Sequence, residues 1–256
     1  MTATNGYSPN ELLISIASRM MEDETTAFIG TGIPMLAASL AQRQHAPNLM
    51  PIFEFGGMGA RLERLPLAVG DMWTFHRGLI AAGICDAMEF AQLGFVDYGF
   101  LGGAQIDAYG NLNSTVIGDQ KRPKVRLPGS GGANDVGSCC WNTIILMQHS
   151  KRRFLETIDF VTTPGYLTGP GAREEVGLPA DTGPYRVVTN LATLDFEPES
   201  RRMRLIGLNP GVTKEQVIEE TGFELLVADT LEENAPPSPE ELRLLRDEID
   251  KDRYYI

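Results

Sequence analysis

The chain has 256 residues, 43% hydrophobic and 22% charged, a balance that allows a real core without disulfide or metal staples. Its net charge of −12 argues against nucleic acid, whose phosphates need a basic face, and against an anionic membrane surface. The N-terminal stretch has no basic region followed by an apolar one, and no apolar run approaches the roughly 18 residues of a membrane span, so a cytoplasmic protein is expected.

Ser8 can cap a first helix, Pro9 fits its first position, and Glu11 completes a capping box. Leu12, Ile16 and Met20 follow at helical spacing. Thr26 to Ile29 reads as a short strand ending in the turn Gly30-Thr31-Gly32, and Pro34 opens a second apolar helix, Met35 to Ala41. Strand, glycine-rich turn and helix make the basic unit of an α/β domain. The unit recurs at Leu49 to Phe53, a buried strand that ends at Glu54 and runs into Gly56-Gly57. A helix is expected over roughly Cys85 to Leu93, then a buried strand from Phe95 to Leu101 that closes on Gly102-Gly103. Asp107 to Asn111 reads as a turn with Ser114 to Ile117 as its return strand. Asn142 to Met147 and Ile158 to Thr162 read as further strands, and Tyr185 to Gly207 as antiparallel pairing at one edge. Thr213 and Gln216 frame a second capping box ahead of Val217 and Ile218. After an exposed spacer, Glu232 to Pro237, a last helix starts at Ser238, Pro239 and Glu241. The expected fold is α/β, an open and mostly parallel sheet with flanking helices and some antiparallel edge strands. One domain spans residues 1–230; the spacer and helix of 231–256 pack on it or on a partner.

Strands in this reading end repeatedly in glycine: Gly30-Thr31-Gly32, Gly56-Gly57, Gly102-Gly103 and Gly129-Ser130-Gly131-Gly132. In open α/β sheets ligands bind outside the carboxyl ends of the strands, where glycine lets backbone N–H groups approach. A tight strand–helix turn explains any one of them; several in one chain point to a shared site. No segment carries a dinucleotide or phosphate-loop fingerprint. Glu54 is the odd residue, since a carboxylate ending a buried strand must be paired, hydrogen-bonded or functional. Capping a neighbouring helix is the ordinary role for it, and a nucleophile the sharper one. His45, His76 and His149 have no metal-like spacing, and no G-x-S-x-G elbow supports a Ser-His-Asp hydrolase. Cys85, Cys139 and Cys140 form no C-x-x-C pair, so reduced thiols are expected and no metal site. Lys151-Arg152-Arg153 is a compact basic cluster, by default a solvated face, alternatively a holder of nucleotide-like phosphates.

In order along the chain, these residues resemble the beta-type subunit of the family I CoA-transferases, of the glutaconate type. The resemblance rests on Gly30-Thr31-Gly32-Ile33-Pro34, Phe53-Glu54-Phe55-Gly56, Val69-Gly70-Asp71, and Gly102-Gly103-Ala104-Gln105-Ile106-Asp107 running into Tyr109-Gly110-Asn111. It continues through Gly129-Ser130-Gly131-Gly132-Ala133-Asn134, Met147-Gln148-His149 with Lys151-Arg152-Arg153-Phe154, Gly169-Pro170-Gly171, Pro210-Gly211-Val212-Thr213 and Glu220-Thr221-Gly222-Phe223. The resemblance implies that Glu54 is the glutamate that attacks an acyl-CoA thioester and comes to carry CoA as a thioester. It implies an oxyanion segment at Gly131, Gly132 and Ala133, with Gly30, Gly32, Gly103 and Gln105 as further substrate-binding positions. It also implies an alpha-type subunit as partner in a heterodimer that dimerises again. Coenzyme A, acyl-CoA and a small, dicarboxylic acid would be substrates, with no permanently bound cofactor. Phe55 departs from the family pattern, which usually has a small polar residue there; it would narrow or dry the pocket, or face elsewhere. Relatives that lack the glutamate run decarboxylation or ring hydrolysis, so the presence of Glu54 favours transfer. Two alternatives stand beside it: an acyl-CoA or carbon–carbon hydrolase with Glu54 as general base, and a structural or regulatory subunit whose partner holds the site.

Overall fold

A computed structural model describes residues 6–256, so the first five residues of the stretch read for a targeting signal lie outside it. Among the described residues no helix is long and apolar enough to cross a membrane. The chain divides into two compact units, one built from the residues up to Phe100 together with Ala235–Ile256, the other from Leu101–Asn234.

The first unit opens with helix α1, Pro9–Ser18. Ser8 sets its start. The Ser8 hydroxyl accepts from the Glu11 N–H at 3.1 Å, and the Glu11 carboxylate accepts from the Ser8 N–H at 2.6 Å, the expected capping box. Strand β1 (Thr26–Phe28), helix α2 (Ile33–Gln44) and strand β2 (Met50–Ile52) follow. Next come β3 (Gly57–Met58), a 3-10 turn over Met72–Phe75, β4 (Ile80–Ala81), α3 (Ile84–Gln92) and β5 (Tyr98–Leu101). β1 lies parallel to both β2 and β5, while β3 and β4 add antiparallel beyond β2. Parallel neighbours need a crossover, which α2 supplies between β1 and β2; antiparallel ones need only a turn. Ile14 and Ala17 of α1, Met35, Leu36 and Leu40 of α2, and Ile29 and Ile52 at the strands form the buried centre.

The second unit begins with two short hairpins, β6 (Gln105–Ile106) with β7 (Leu112–Asn113), and β8 (Val116–Gly118) with β9 (Pro123–Arg126). Helix α4 (Ala133–Cys139), strand β10 (Asn142–Met147) and helix α5 (Ala172–Glu175) come next. The rest is β11 (Gly183–Thr189), β12 (Ala192–Phe196), β13 (Met203–Leu208), α6 (Lys214–Glu219) and β14 (Leu226–Glu233). β10 is parallel to β11, β12 is antiparallel to its neighbours β11 and β13, and β14 is parallel to β13. Ile144, Ile145, Val187, Val188, Leu194 and Leu205 bury their side chains in this sheet. The chain then returns to the first unit as α7 (Pro239–Arg243), prolonged by a π-helical turn over Leu244–Ile249. Paired hydrogen bonds from Arg19 to Glu241 and from Arg246 to Glu11 tie it to α1.

The class is the one expected: α/β, an open and mostly parallel sheet with flanking helices and antiparallel strands. Several local readings need correction. The return strand after the Asp107 turn is Leu112–Asn113, because Asp107 closes the turn at once by accepting from the Tyr109 and Asn111 N–H groups. Val116–Gly118 belongs to the next hairpin instead. Ile158 to Thr162 is a loop; the Asp159 N–H goes to the Gln105 side chain and the Thr162 N–H to the Leu112 carbonyl rather than to a strand ladder. Glu232 and Glu233, read as spacer, complete β14.

Candidate functional site

Within the first unit, the carboxyl ends of β1 and β2 lie side by side. Phe28 pairs with Ile52, and the Ile29 N–H donates to the Ile52 carbonyl at 2.8 Å. Gly30 and Gly32 follow β1 in a true strand–helix turn, with Gly32 at φ +92° as the cap of α2. Glu54 follows β2 in a different kind of turn. The Gly56 N–H donates to the Phe53 carbonyl at 2.8 Å and the Phe53 N–H to the Gly57 carbonyl at 2.9 Å. Glu54 and Phe55 are therefore the two central residues of a tight hairpin, not part of a strand–helix connection. Gly56 sits at φ +96°, and a Cβ there would stand 2.3 Å from the Ala82 carbonyl oxygen; one on Gly57 would stand 2.1 Å from that of Thr74. The Thr74 and Ala82 backbones thus grip the turn, and only glycine admits that approach.

Glu54 is half-buried. Phe55 is 47% exposed, and a Cβ on Gly70 would meet its ring at 3.5 Å, so Val69-Gly70-Asp71 packs against the same turn. Asp71 holds that segment by accepting from the Trp73 and Leu67 N–H groups, which keep its carboxyl below the usual carboxylate range.

The other candidate positions lie in the second unit. Gly103 is held by Arg153, whose guanidinium donates to its carbonyl at 3.2 Å. The basic cluster is therefore divided: Lys151 and Arg152 face solvent while Arg153 turns inward. Gln105 is buried at 4% exposure and forms a cross-tie. Its amide donates to Asp159 at 2.7 Å, and its oxygen accepts from Asn113 at 2.6 Å and from the Asp159 N–H at 3.0 Å. In the loop before α4, Gly129 and Gly131 take φ +100° and +50°, whereas Gly132 takes −79° and caps the helix. The Ala133 N–H donates to the Ser130 carbonyl at 2.9 Å. At the other end of α4, buried Arg173 donates to the Gly137 and Ser138 carbonyls and fixes the helix in place.

His149 has a structural setting. It stacks on Phe154 with ring centres 3.9 Å apart, and its Nε2 lies 2.9 Å from the Thr221 hydroxyl. That hydroxyl also donates to the Val217 carbonyl, and Nδ1 lies 3.3 Å from the Thr189 hydroxyl. Burial pushes the imidazole down to about 4. Cys85 is exposed, Cys139 partly buried and Cys140 buried, and none of the three is in a disulfide.

One feature escaped the sequence reading. The Tyr255 ring lies over Gly32, its Cε1 3.7 Å from where a Cβ on that glycine would be. No local pattern links the two residues.

A scan of family models matches residues 11–220 to the coenzyme A transferase family. The B-type chain of glutaconate CoA-transferase from Acidaminococcus fermentans is 40% identical, over 100% of this chain and 97% of its own. The crystal structure of that enzyme superposes with a TM-score of 0.93 at 39% identity, covering 98% of each chain. The B-type chain of 3-oxoadipate CoA-transferase from Pseudomonas knackmussii is 37% identical over 94% of this chain and 93% of its own. A cholesterol ring-cleaving hydrolase IpdB subunit from Mycobacterium tuberculosis is 34% identical over 79% and 86%. The glycine-marked strand ends and the hairpin glutamate thus stand in a fold of known kind, and the chain belongs to the coenzyme A transferase family.

Proposed function

We propose that this chain is the beta subunit of a heteromeric CoA-transferase of the glutaconate and 3-oxoadipate type, with Glu54 as its covalent nucleophile. The observation that carries the reading is Glu54 at the centre of a tight hairpin at the carboxyl end of a parallel strand, half-open to solvent. Ligands of open α/β sheets meet that end of the strands, where a carboxylate is placed to act on a bound thioester.

The Glu54 carboxylate attacks the acyl-CoA carbonyl, the carbon–sulfur bond breaks, and an acyl–glutamyl anhydride forms as CoA leaves as thiolate. The thiolate attacks the glutamyl carbonyl and expels the first acid as carboxylate, leaving CoA on Glu54 as a thioester. A second carboxylate then enters by the reverse steps and leaves as acyl-CoA. No proton is consumed, and the thioester energy is retained because water never attacks. Backbone N–H groups of the Gly131–Ala133 loop are the proposed stabilisers of the tetrahedral oxyanion. Gly30, Gly32, Gly103 and Gln105 are proposed as substrate-binding positions, with Gln105 acting through the loop it ties down. Coenzyme A enters as substrate, and an alpha-type subunit completes the acyl pocket. The proposed acids are small and dicarboxylic, the class that glutaconate and 3-oxoadipate represent.

Mass spectrometry of the alpha–beta complex after acyl-CoA treatment tests the reading. A CoA adduct is expected on the Glu54 peptide, and double-reciprocal plots at several acceptor concentrations should be parallel. The similarity to the ring-cleaving hydrolase favours one competing reading, with Glu54 as general base for water. That reading predicts no adduct and products released without an acceptor acid.

A further inference from the structure

The 250–256 segment is built as a strap. Asp250, 1% exposed, accepts from the backbone N–H groups of Tyr254 and Tyr255 at 2.8 Å each and of Ile256 at 3.1 Å. From the other side the Asn10 side-chain amide donates to the Tyr255 carbonyl at 2.7 Å. Arg253, at φ +56°, turns the chain back so that these bonds can form. Burying a carboxylate is costly unless its oxygens are satisfied, and here backbone donors of the strap satisfy them. The helical part before the strap is pinned by Arg19 to Glu241 and Arg246 to Glu11, both pairs made with nearly buried carboxylates. Burial alone would raise the Glu11 carboxyl; the bonds from Arg246 and the Ser8 N–H outweigh it and hold it low.

This anchoring places one side chain. The Tyr255 ring, partly exposed, rests on the bare backbone of Gly32. Gly32 lies in the turn that follows β1, the strand next to the one that carries Glu54.

We infer that Tyr255 is a specificity-determining residue, a wall of the acyl site held by the Asp250 strap that sets the size of acid the enzyme accepts. The inference rests on the proposed reaction at Glu54. The acyl carbon bonds to Glu54 first, and in this reading the acyl chain extends from there past the neighbouring strand end at Gly32. The aromatic ring of Tyr255 limits bulk there.

The experiment uses the alpha–beta complex carrying Tyr255→Ala or Tyr255→Trp. kcat/KM is measured for a short and a long dicarboxylic acceptor, and the CoA adduct on Glu54 is followed by mass spectrometry. The expected result is opposite shifts: Ala moves the long-to-short preference up by about 10-fold, the scale of a changed contact in an apolar pocket, and Trp moves it down. The adduct forms in both variants. Equal ratios in wild type and both variants, or shifts of the same sign, overturn the inference and leave Tyr255 a packing residue. Absence of the adduct from the wild-type complex instead refutes the reading of Glu54, whatever Tyr255 does.

Discussion

Glu54 and the glycine two residues on have separable roles. Glu54→Gln keeps the side-chain size and removes the nucleophile. Turnover of the complex should fall at least about 10³-fold, as for loss of a covalent group, with an unchanged melting temperature. If a tenth of wild-type activity remained, Glu54 would not be the covalent residue. Gly56→Ala acts through the backbone. It puts a Cβ 2.3 Å from the Ala82 carbonyl at a residue with φ +96°. The hairpin must open or shift, at a cost of about 2 kcal/mol or more, and the carboxylate moves with it. Urea midpoints should drop and activity should be lost together, whereas Glu54→Gln separates the two.

At the scale of the element, the loop before α4 is the part to perturb. Its glycine-rich sequence suggests a strained φ at Gly131 or Gly132, and it falls on Gly131, at +50°, not on Gly132, at −79°. A β-branched residue is therefore strained at Gly131 and tolerated far better at Gly132. Gly131→Val should remain folded by circular dichroism, because α4 is anchored at its far end by Arg173. Its kcat should fall about 10²- to 10³-fold, the usual effect of displacing an oxyanion donor. Near-normal kinetics in Gly131→Val would place the oxyanion donors elsewhere.

For the molecule as a whole, two expectations follow. His149 is buried and its imidazole is pushed down to about 4 in the folded chain, against an ordinary value near 6.5 when unfolded. Between those values the unfolded chain binds a proton that the folded one does not, so stability falls as pH drops through that window. The His149 contribution is constant above about 6.5, and its full loss is on the order of 3 kcal/mol. Urea midpoints from pH 7.5 to 4 should show this slope in wild type, and His149→Gln should flatten it from a lower starting stability. An equal slope in both proteins would mean that another group titrates there. The second expectation is that the chain expressed without an alpha-type partner has no transferase activity. Full activity from it alone would contradict the two-subunit reading.

The helix starts were legible because their signals are local. Ser8 with Glu11, Thr213 with Gln216 and Ser238 with Glu241 all form the capping boxes their spacing suggests, since each needs only its own next turn of chain. The strand cores at Thr26, Met50 and Asn142 were legible as apolar runs bounded by glycine or polar residues. Glu54 stood out for the same reason, a charge at the end of such a run. What surrounds it was not legible. The Thr74 and Ala82 backbones close over the hairpin at Gly56; Gly56-Gly57 permits that approach but does not say which distant segments make it. Gln105 reads as one polar residue in a glycine-rich motif, yet its bonds go to Asn113 and Asp159. Tyr255 meets Gly32 only because Asp250 gathers the strap and the helical segment before it is pinned to α1. The sequence by itself thus determined which segments are helix or strand and which carboxylate is anomalous, through interactions between near neighbours. The tertiary structure alone decided what lies beside that carboxylate, because close backbone approaches and cross-chain hydrogen bonds depend on where distant segments come to rest.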